Sequence, residues 1–286
     1  MTTRTSAFFG PGGNSEAFYA AGGKSTVQAP AWVRSQGLTA YEYEAGKGVG
    51  ASELALRQIG EAAKNAGIYM SMHAPYFISI ASTTFETRMK SIEYISQSLW
   101  AADLLGADII VVHSGGCAKI SRQEGMALSA DTLYKTLDAV GYPSIRIGIE
   151  TMGKVNQLGT LDEVIELCSI DPRLVPVVDF GHLNARDCGG VFPTTDAYTS
   201  VFDRIGTALG DEVAKNLHCH FSMIEWTEKG EKKHLTFEDR VYGPRYEPLM
   251  EAIVRDGLTP TIICESAGTQ SQDARAMQLY YEELRG

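Results

Sequence analysis

Residues 108–113 read DIIVVH. Four β-branched residues follow one another without a polar break, which suits a strand covered on both faces, and a histidine stands where the run ends. Seven further runs share this character: SAFFG near 6–10, AYEYE near 40–44, IYMSMH near 68–73, RIGIE near 146–150, VPVVDF near 175–180, NLHCHF near 216–221 and TIICE near 261–265. Most are continuous rather than alternating, as parallel strands sheltered by helices are.

Helical segments lie between the runs. Residues 84–105 place Met89, Ile92, Ile95, Leu99, Ala102 and Leu105 on one stripe. Ser52 is set to cap ELALRQIGEAAKNAG, with Gly67 as its stop. Thr160 and Glu163 make a capping box ahead of LDEVIELCSI, and residues 246–256 and 270–285 supply the last helices. Strand and helix in eightfold alternation predict an α/β protein, a (β/α)8 TIM barrel, as a single domain over residues 1–286. The longest connection, residues 222–245, is rich in both charge signs and is expected to fold over the carboxyl ends of the strands.

Composition bounds the function. A chain of 286 residues with 44% hydrophobic and 21% charged residues is ordinary for a globular protein, and no apolar run approaches the ~20 residues that span a bilayer. The N-terminus has no apolar stretch of the secretory kind, and the five cysteines form no CxxC pair, so reduced thiols and a cytoplasmic home are expected. A net charge of −10 argues against a generic basic coat for nucleic acid, but leaves room for binding through a local basic rim or bound metals. No membrane and no obligatory protein partner are implied, and a monomer is expected.

The chain has six histidines, and all of them fall in or beside the ends of the apolar runs: His73, His113, His182, His218, His220 and His234. Glu150, Asp179 and Glu265 stand at the ends of three similar runs. A lone histidine at a strand end is more often a hydrogen-bonded structural residue. Convergence of all of them with three carboxylates on one barrel rim favours a metal centre, since imidazole and carboxylate are the ligand set of zinc and similar divalent ions.

The segments HAPYFISI (73–80), VVHSGG (111–116), GIETMGKVNQLG (148–159), VVDFGHLNARD (177–187), LHCHFS (217–222) and CESAG (264–268), in this order, resemble the endonuclease IV family of apurinic/apyrimidinic endonucleases, xylose-isomerase-like TIM barrels that carry three zinc ions. The resemblance implies a metal-dependent endodeoxyribonuclease that hydrolyses the phosphodiester 5′ to an abasic site in damaged double-stranded DNA. It implies two or three ions, zinc with manganese or iron possible at some sites. Glu150 resembles the bridging catalytic carboxylate, with His73 and His113 completing one ion site. Asp179, Glu265 and the histidine of the seventh strand would hold a second ion, and His182 and His234 a third. Position in the motif favours His218 as the seventh-strand ligand, with His220 as a ligand or its hydrogen-bonded support. The family has an aspartate two residues before the last of these histidines; here Lys232 occupies that position and Glu231 precedes it, so Glu231 is a candidate substitute and the third ion is expected to be the most easily lost. Tyr76 and Phe77 resemble the family's wedge beside the lesion. Lys154 and Arg186, with Lys47, Lys119 and Arg122, follow predicted strands and are expected to contact phosphates. The alternative from the same barrels is a mononuclear sugar isomerase or epimerase, which would use Glu150, Asp179, a seventh-strand histidine and Glu265 alone. A barrel keeping metals only for stability is the third reading.

Overall fold

The computed structural model describes residues 4–286. Strands β1 (Phe8–Pro11), β2 (Ala40–Glu44), β3 (Tyr69–His73), β4 (Ile109–His113), β5 (Arg146–Glu150), β6 (Leu174–Asp179) and β7 (His218–Phe221) are followed by a hairpin of β8 (Ile224–Thr227) and β9 (Gly230–His234), then by β10 (Thr261–Cys264). All but the hairpin strands form one parallel sheet in the order β1-β10-β7-β6-β5-β4-β3-β2. The sheet closes between its first and last strands: Thr39 N donates to Phe9 O and Gly13 N to Glu42 O, both at 2.9 Å. Gly10 permits that closure, because a Cβ there would lie 1.8 Å from the Ala40 carbonyl oxygen. This is the (β/α)8 TIM barrel expected from the pattern.

The helices are α1 (Glu16–Ala20), α2 (Ala29–Ser35), α3 (Glu53–Ala66), α4 (Phe85–Leu105), α5 (Arg122–Ala139), α6 (Leu161–Cys168), α7 (Phe180–Arg186), α8 (Thr195–Leu209), α9 (Asp211–Lys215), α10 (Glu247–Arg255) and α11 (Gln270–Arg285), with a 3-10 turn at Thr26–Gln28. The caps act as their residue types dictate. Ser52 accepts from Ala55 N and Gly67 ends α3 in the left-handed conformation, while Thr160 and Glu163 close a capping box on α6.

The continuous apolar runs are explained by burial on both faces. Ile109, Val111, Val175 and Val177 fill the barrel interior, while Ile110, Val112, Ile147 and Ile149 pack in the main core. Truncating one such isoleucine to alanine typically costs ~2–5 kcal/mol. The stripe of α4 departs from expectation in its first half. Arg88 and Ser91 are buried there, where Met89 and Ile92 are only partly so. The reason is polar: Arg88 donates to Ser82 O at 2.7 Å and Ser91 Oγ accepts from Ser79 N at 3.0 Å, so this turn of the helix anchors the β3–α4 loop. All five cysteines are free thiols. No helix among the described residues is long and apolar enough to cross a membrane.

Candidate metal centre

Parallel pairing sets the heights of the candidate ligands. His113 is level with Glu150 across β4 and β5, and Asp179 is level with His220 across β6 and β7. Glu265 follows directly on β10. Glu150 sits at the middle of the group, almost wholly buried. Its Oε2 lies 3.4 Å from His73 Nε2 and 3.3 Å from His113 Nε2, and its Oε1 lies 3.1 Å from His220 Nδ1 and 3.4 Å from His182 Nδ1. His73 Nδ1 donates to Ala74 O at 2.7 Å, which fixes its tautomer and leaves Nε2 facing Glu150. Asp179 Oδ1 caps α7 through His182 N at 2.7 Å, and that turn brings the His182 ring back over the strand end.

The structure places His220, and not His218, beside Glu150, Asp179 and Glu265. Both rings point inward, as a two-residue spacing in a strand requires. Each residue advances ~3.3 Å, however, so His218 lies about two steps deeper, level with Val177, and there donates to the Glu42 carboxylate at 2.9 Å.

The third expected group is carried by the hairpin. Glu231 Oε2 is 3.5 Å from His182 Nε2, and Glu231 Oε1 is 3.9 Å from His234 Nε2. Residues three apart in a regular strand face opposite ways. Here Trp226 pairs with Glu231 and Glu225 with Lys233, so Lys232 is bulged out and Glu231 and His234 share the inward face. The hairpin is docked on the loop after β5 by Glu231 N donating to Gly153 O at 2.9 Å. That approach needs glycine on both sides, because a Cβ on Gly230 would fall 2.1 Å from Gly153 O, and one on Gly153 would fall 2.6 Å from Glu231 Cβ. Ser222 Oγ meets His234 Nδ1 at 2.8 Å and orients that ring.

Two acids escaped the sequence reading. Glu42 and Glu44 alternate with tyrosines in β2 and point toward the barrel axis with the ligands: Glu42 is fully buried between His218 and His220, and Glu44 borders the open cavity. The alternation AYEYE among otherwise continuous runs was the available signal.

The rim corrects one expectation about DNA contact. The Arg186 guanidinium donates to the carbonyls of Met152, Lys154, Val155 and Gln157 at 2.9–3.2 Å. It therefore braces the β5–α6 loop instead of facing outward. Arg122 is similarly engaged by Glu163 and by the carbonyls of Val155 and Gln157. Lys154 and Tyr76 line the cavity; Tyr76 is 51% accessible, and Phe77, whose ring centre lies 6.1 Å from that of Tyr76, is 41% accessible. Phe77 is backed edge-on by Tyr94 at 4.8 Å between ring centres.

The electrostatics suit cations. A cavity of about 360 Å³ is bordered by Glu44, Glu150, Glu231 and Glu265, against the one lysine, Lys154. Burial opposes ionisation of Glu150, yet the adjoining His182, His220 and His73 hold its carboxyl well below the usual range. Burial likewise works against a charged His73, but Glu150 and Glu44 outweigh it and raise the ring to about 10. Burial raises Glu265 to about 8, and desolvation lowers His113 to about 4. Asp179 Oδ2 is buried without a hydrogen-bond partner, a costly state that a cation would relieve. The donors fit divalent ions: His73, His113 and Glu150 form one close group, Glu150, Asp179, His220 and Glu265 a second, and His182, Glu231 and His234 a third.

The chain belongs to the xylose isomerase-like TIM barrel family, which matches residues 30–284. Among curated relatives, an uncharacterized protein of Methanocaldococcus jannaschii is 27% identical over 252 residues, 87% of this chain and 90% of its own length. A probable endonuclease 4 of Mycoplasma genitalium is 29% identical over 221 residues, 74% of this chain and 71% of its own. Among solved structures, a D-tagatose 3-epimerase-like protein has a TM-score of 0.72 at 17% identity, covering 97% of this chain and 98% of its own. Endonuclease IV from Thermus thermophilus has a TM-score of 0.69 at 18% identity, covering 96% and 99%. At these identities the structural likenesses speak for the fold alone.

Proposed function

We propose that this protein is a metal-dependent phosphodiesterase that cuts DNA on the 5′ side of abasic sites. The observation that carries the reading is the environment of Glu150, whose carboxylate meets His73, His113, His182 and His220 within 3.4 Å. A one-ion epimerase site needs Glu150, Asp179, His220 and Glu265, but gives no reason for His73, His113 and His182 to converge on the same carboxylate. The endonuclease 4 relatives support the same choice.

Divalent ions, when bound, supply Lewis acidity toward a phosphate and make water a usable nucleophile at neutral pH. His73, His113 and Glu150 would hold one, Glu150, Asp179, His220 and Glu265 a second, and His182, Glu231 and His234 a third, with zinc best suited to the imidazole-rich set. The chain's own part is to position DNA. Tyr76, tied at its backbone N to Gly46 O, and Phe77, backed by Tyr94, present an apolar edge beside the cavity that suits a wedge in a kinked duplex. An abasic nucleotide has no base to unstack, so its extrusion into the cavity is cheap. Lys154 offers a phosphate contact at the lip.

The test is cleavage of a duplex carrying one abasic site, beside the intact duplex and a chelator-treated sample. Cutting of the abasic strand alone, abolished by chelator, is expected. Tyr76→Ala should weaken abasic-duplex binding about tenfold, ~1.4 kcal/mol, with unchanged ion content. Absence of cleavage together with metal-dependent epimerisation of a ketose would replace this reading with the sugar one.

A further inference from the structure

The three ligand groups described above contain Glu150, Glu231 and Glu265, but not Glu44, the remaining acid that borders the cavity. Glu44 ends β2, level with His73 across β2 and β3, and is exposed at the cavity wall. Its backbone is held from both sides: Ala45 N donates to His73 O at 3.0 Å, and Gly13 N donates to Glu42 O at 2.9 Å. Its side chain leans over the chain that leaves β1, where two glycines make room. A Cβ on Gly12 would lie 3.1 Å from Glu44 Oε1, and one on Gly13 would lie 3.0 Å from Glu44 Cγ. A carboxylate held at this wall faces part of any nucleotide that enters.

Charge decides which part. A carboxylate only accepts hydrogen bonds, and it repels a phosphate. A cavity of about 360 Å³ is comparable in width with the ~8–10 Å screening length, so a phosphate inside it feels every wall. The lysine of the cavity, Lys154, follows β5, three places from β2 around the eight-stranded sheet. Phosphate is therefore drawn away from the Glu44 wall, and the uncharged sugar is turned toward it. The wedge gives the same orientation. Tyr76 N donates to Gly46 O at 3.4 Å, so the wedge rests on the turn directly after Glu44, and a sugar extruded past it enters beside that wall. In its ring form an abasic deoxyribose carries, where the base was, a hydroxyl on C1′ that an intact nucleotide lacks. We propose that Glu44 is a specificity-determining residue that accepts a hydrogen bond from the C1′ hydroxyl of the extruded abasic sugar. The site then reads the chemical mark of base loss and not only the gap in the stack. A bond to a charged acceptor is of the stronger kind, and its loss typically costs about 10–100-fold in affinity or rate. A site built to bond a substrate hydroxyl rejects the analogue without it.

This inference rests on the DNA cleavage proposed above, and its test separates the two. Duplexes carry either a natural abasic site or the tetrahydrofuran analogue, which leaves the same gap but has no C1′ hydroxyl. The ratio of kcat/KM for the two duplexes is measured at saturating zinc for the wild type, Glu44→Ala and Glu44→Gln, with ion content from elemental analysis. The wild type should favour the natural site by about tenfold or more. Glu44→Ala should bring the two duplexes within about twofold of each other, through loss on the natural site and with the wild-type ion content. Glu44→Gln, which keeps an acceptor without the charge, should fall between. Equal use of both duplexes by the wild type would overturn the inference and leave DNA cleavage standing. A Glu44→Ala variant that loses an ion, or loses both substrates in equal proportion, would overturn it too, by making Glu44 part of the metal centre. Cleavage of neither duplex by the wild type would refute the proposed function, and this inference with it.

Discussion

His73, His113, Glu150 and Asp179 lie at the ends of barrel strands, whereas Glu231 and His234 arrive on a two-stranded hairpin laid over the rim. Two of the strand-end carboxylates are sealed, with Glu150 and Asp179 side chains 1% and 0% accessible, while Glu265 at 18% opens on the cavity; the rings around Glu150 stand 3.1–3.4 Å away. On the hairpin, Glu231 and His234 side chains are 14% and 25% accessible and 3.9 Å apart. Their common direction depends on one bulged residue, Lys232. Strand ends locked in register place ligands by the fold itself, while a hairpin places them by loop chemistry that can be altered without disturbing the barrel. The deeper ions should therefore be tight and the hairpin ion labile.

The largest effect expected is at the strand ends. Glu150→Gln keeps the shape of the side chain but removes the charge shared by four histidines, and should lower DNA cleavage by more than about 100-fold, beyond the range typical of residues that only support a ligand. Single-turnover rates at saturating metal would measure it. A variant retaining a tenth of wild-type activity would erase the distinction between the two regions.

Proton linkage gives the next effect. In the ion-free protein His73 is raised to about 10 and Glu265 to about 8, so both hold protons at neutral pH. An ion must displace those protons, and affinity should rise with pH through the window below these values, by about tenfold per pH unit for each proton released. Calorimetry of ion uptake in buffers of different ionisation enthalpy counts the protons. Uptake without proton release between pH 6 and 8 would contradict the assignment of His73 and Glu265 as ligands.

The smallest effect sharpens the role of the bulge. Glu231→Gln should weaken the hairpin ion ~10-fold or more. Deleting Lys232 should change its affinity by no more than about threefold, because Glu231 would then stand two residues before His234 on the same face of a regular strand. Equal damage from the two changes would show that the bulge is not what aligns the pair.

Much of this was legible in the sequence, for identifiable reasons. The barrel followed from continuous apolar runs separated by capped helices, and these are local signals: DIIVVH, Thr160 with Glu163, and Gly67 appear in the structure as their residue types imply. Height within a strand was less legible. His218 and His220 share a face, and only the pairing of Asp179 with His220 shows which one reaches the rim. Glu42 was signalled only by the alternation AYEYE, and its pairing was not legible because its partner His218 is 176 residues away, across the barrel. Arg186 was misread because direction is not encoded in residue type: a guanidinium after a strand serves a phosphate or four backbone carbonyls equally well. The exchange of the expected acid at position 232 for Glu231 was visible, but the bulge that makes the exchange work was not.

The central claim, a cluster of ions whose hairpin member is the weakest, is tested most directly by elemental analysis of the purified protein along a chelator series, with abasic-duplex cleavage followed in the same samples. Two or three divalent ions per chain are expected, one leaving at lower chelator concentration than the rest, and Glu231→Gln should abolish that first step alone. A single ion per chain with undiminished turnover would contradict the account and leave Glu150, Asp179, His220 and Glu265 as the one-ion site of a sugar epimerase.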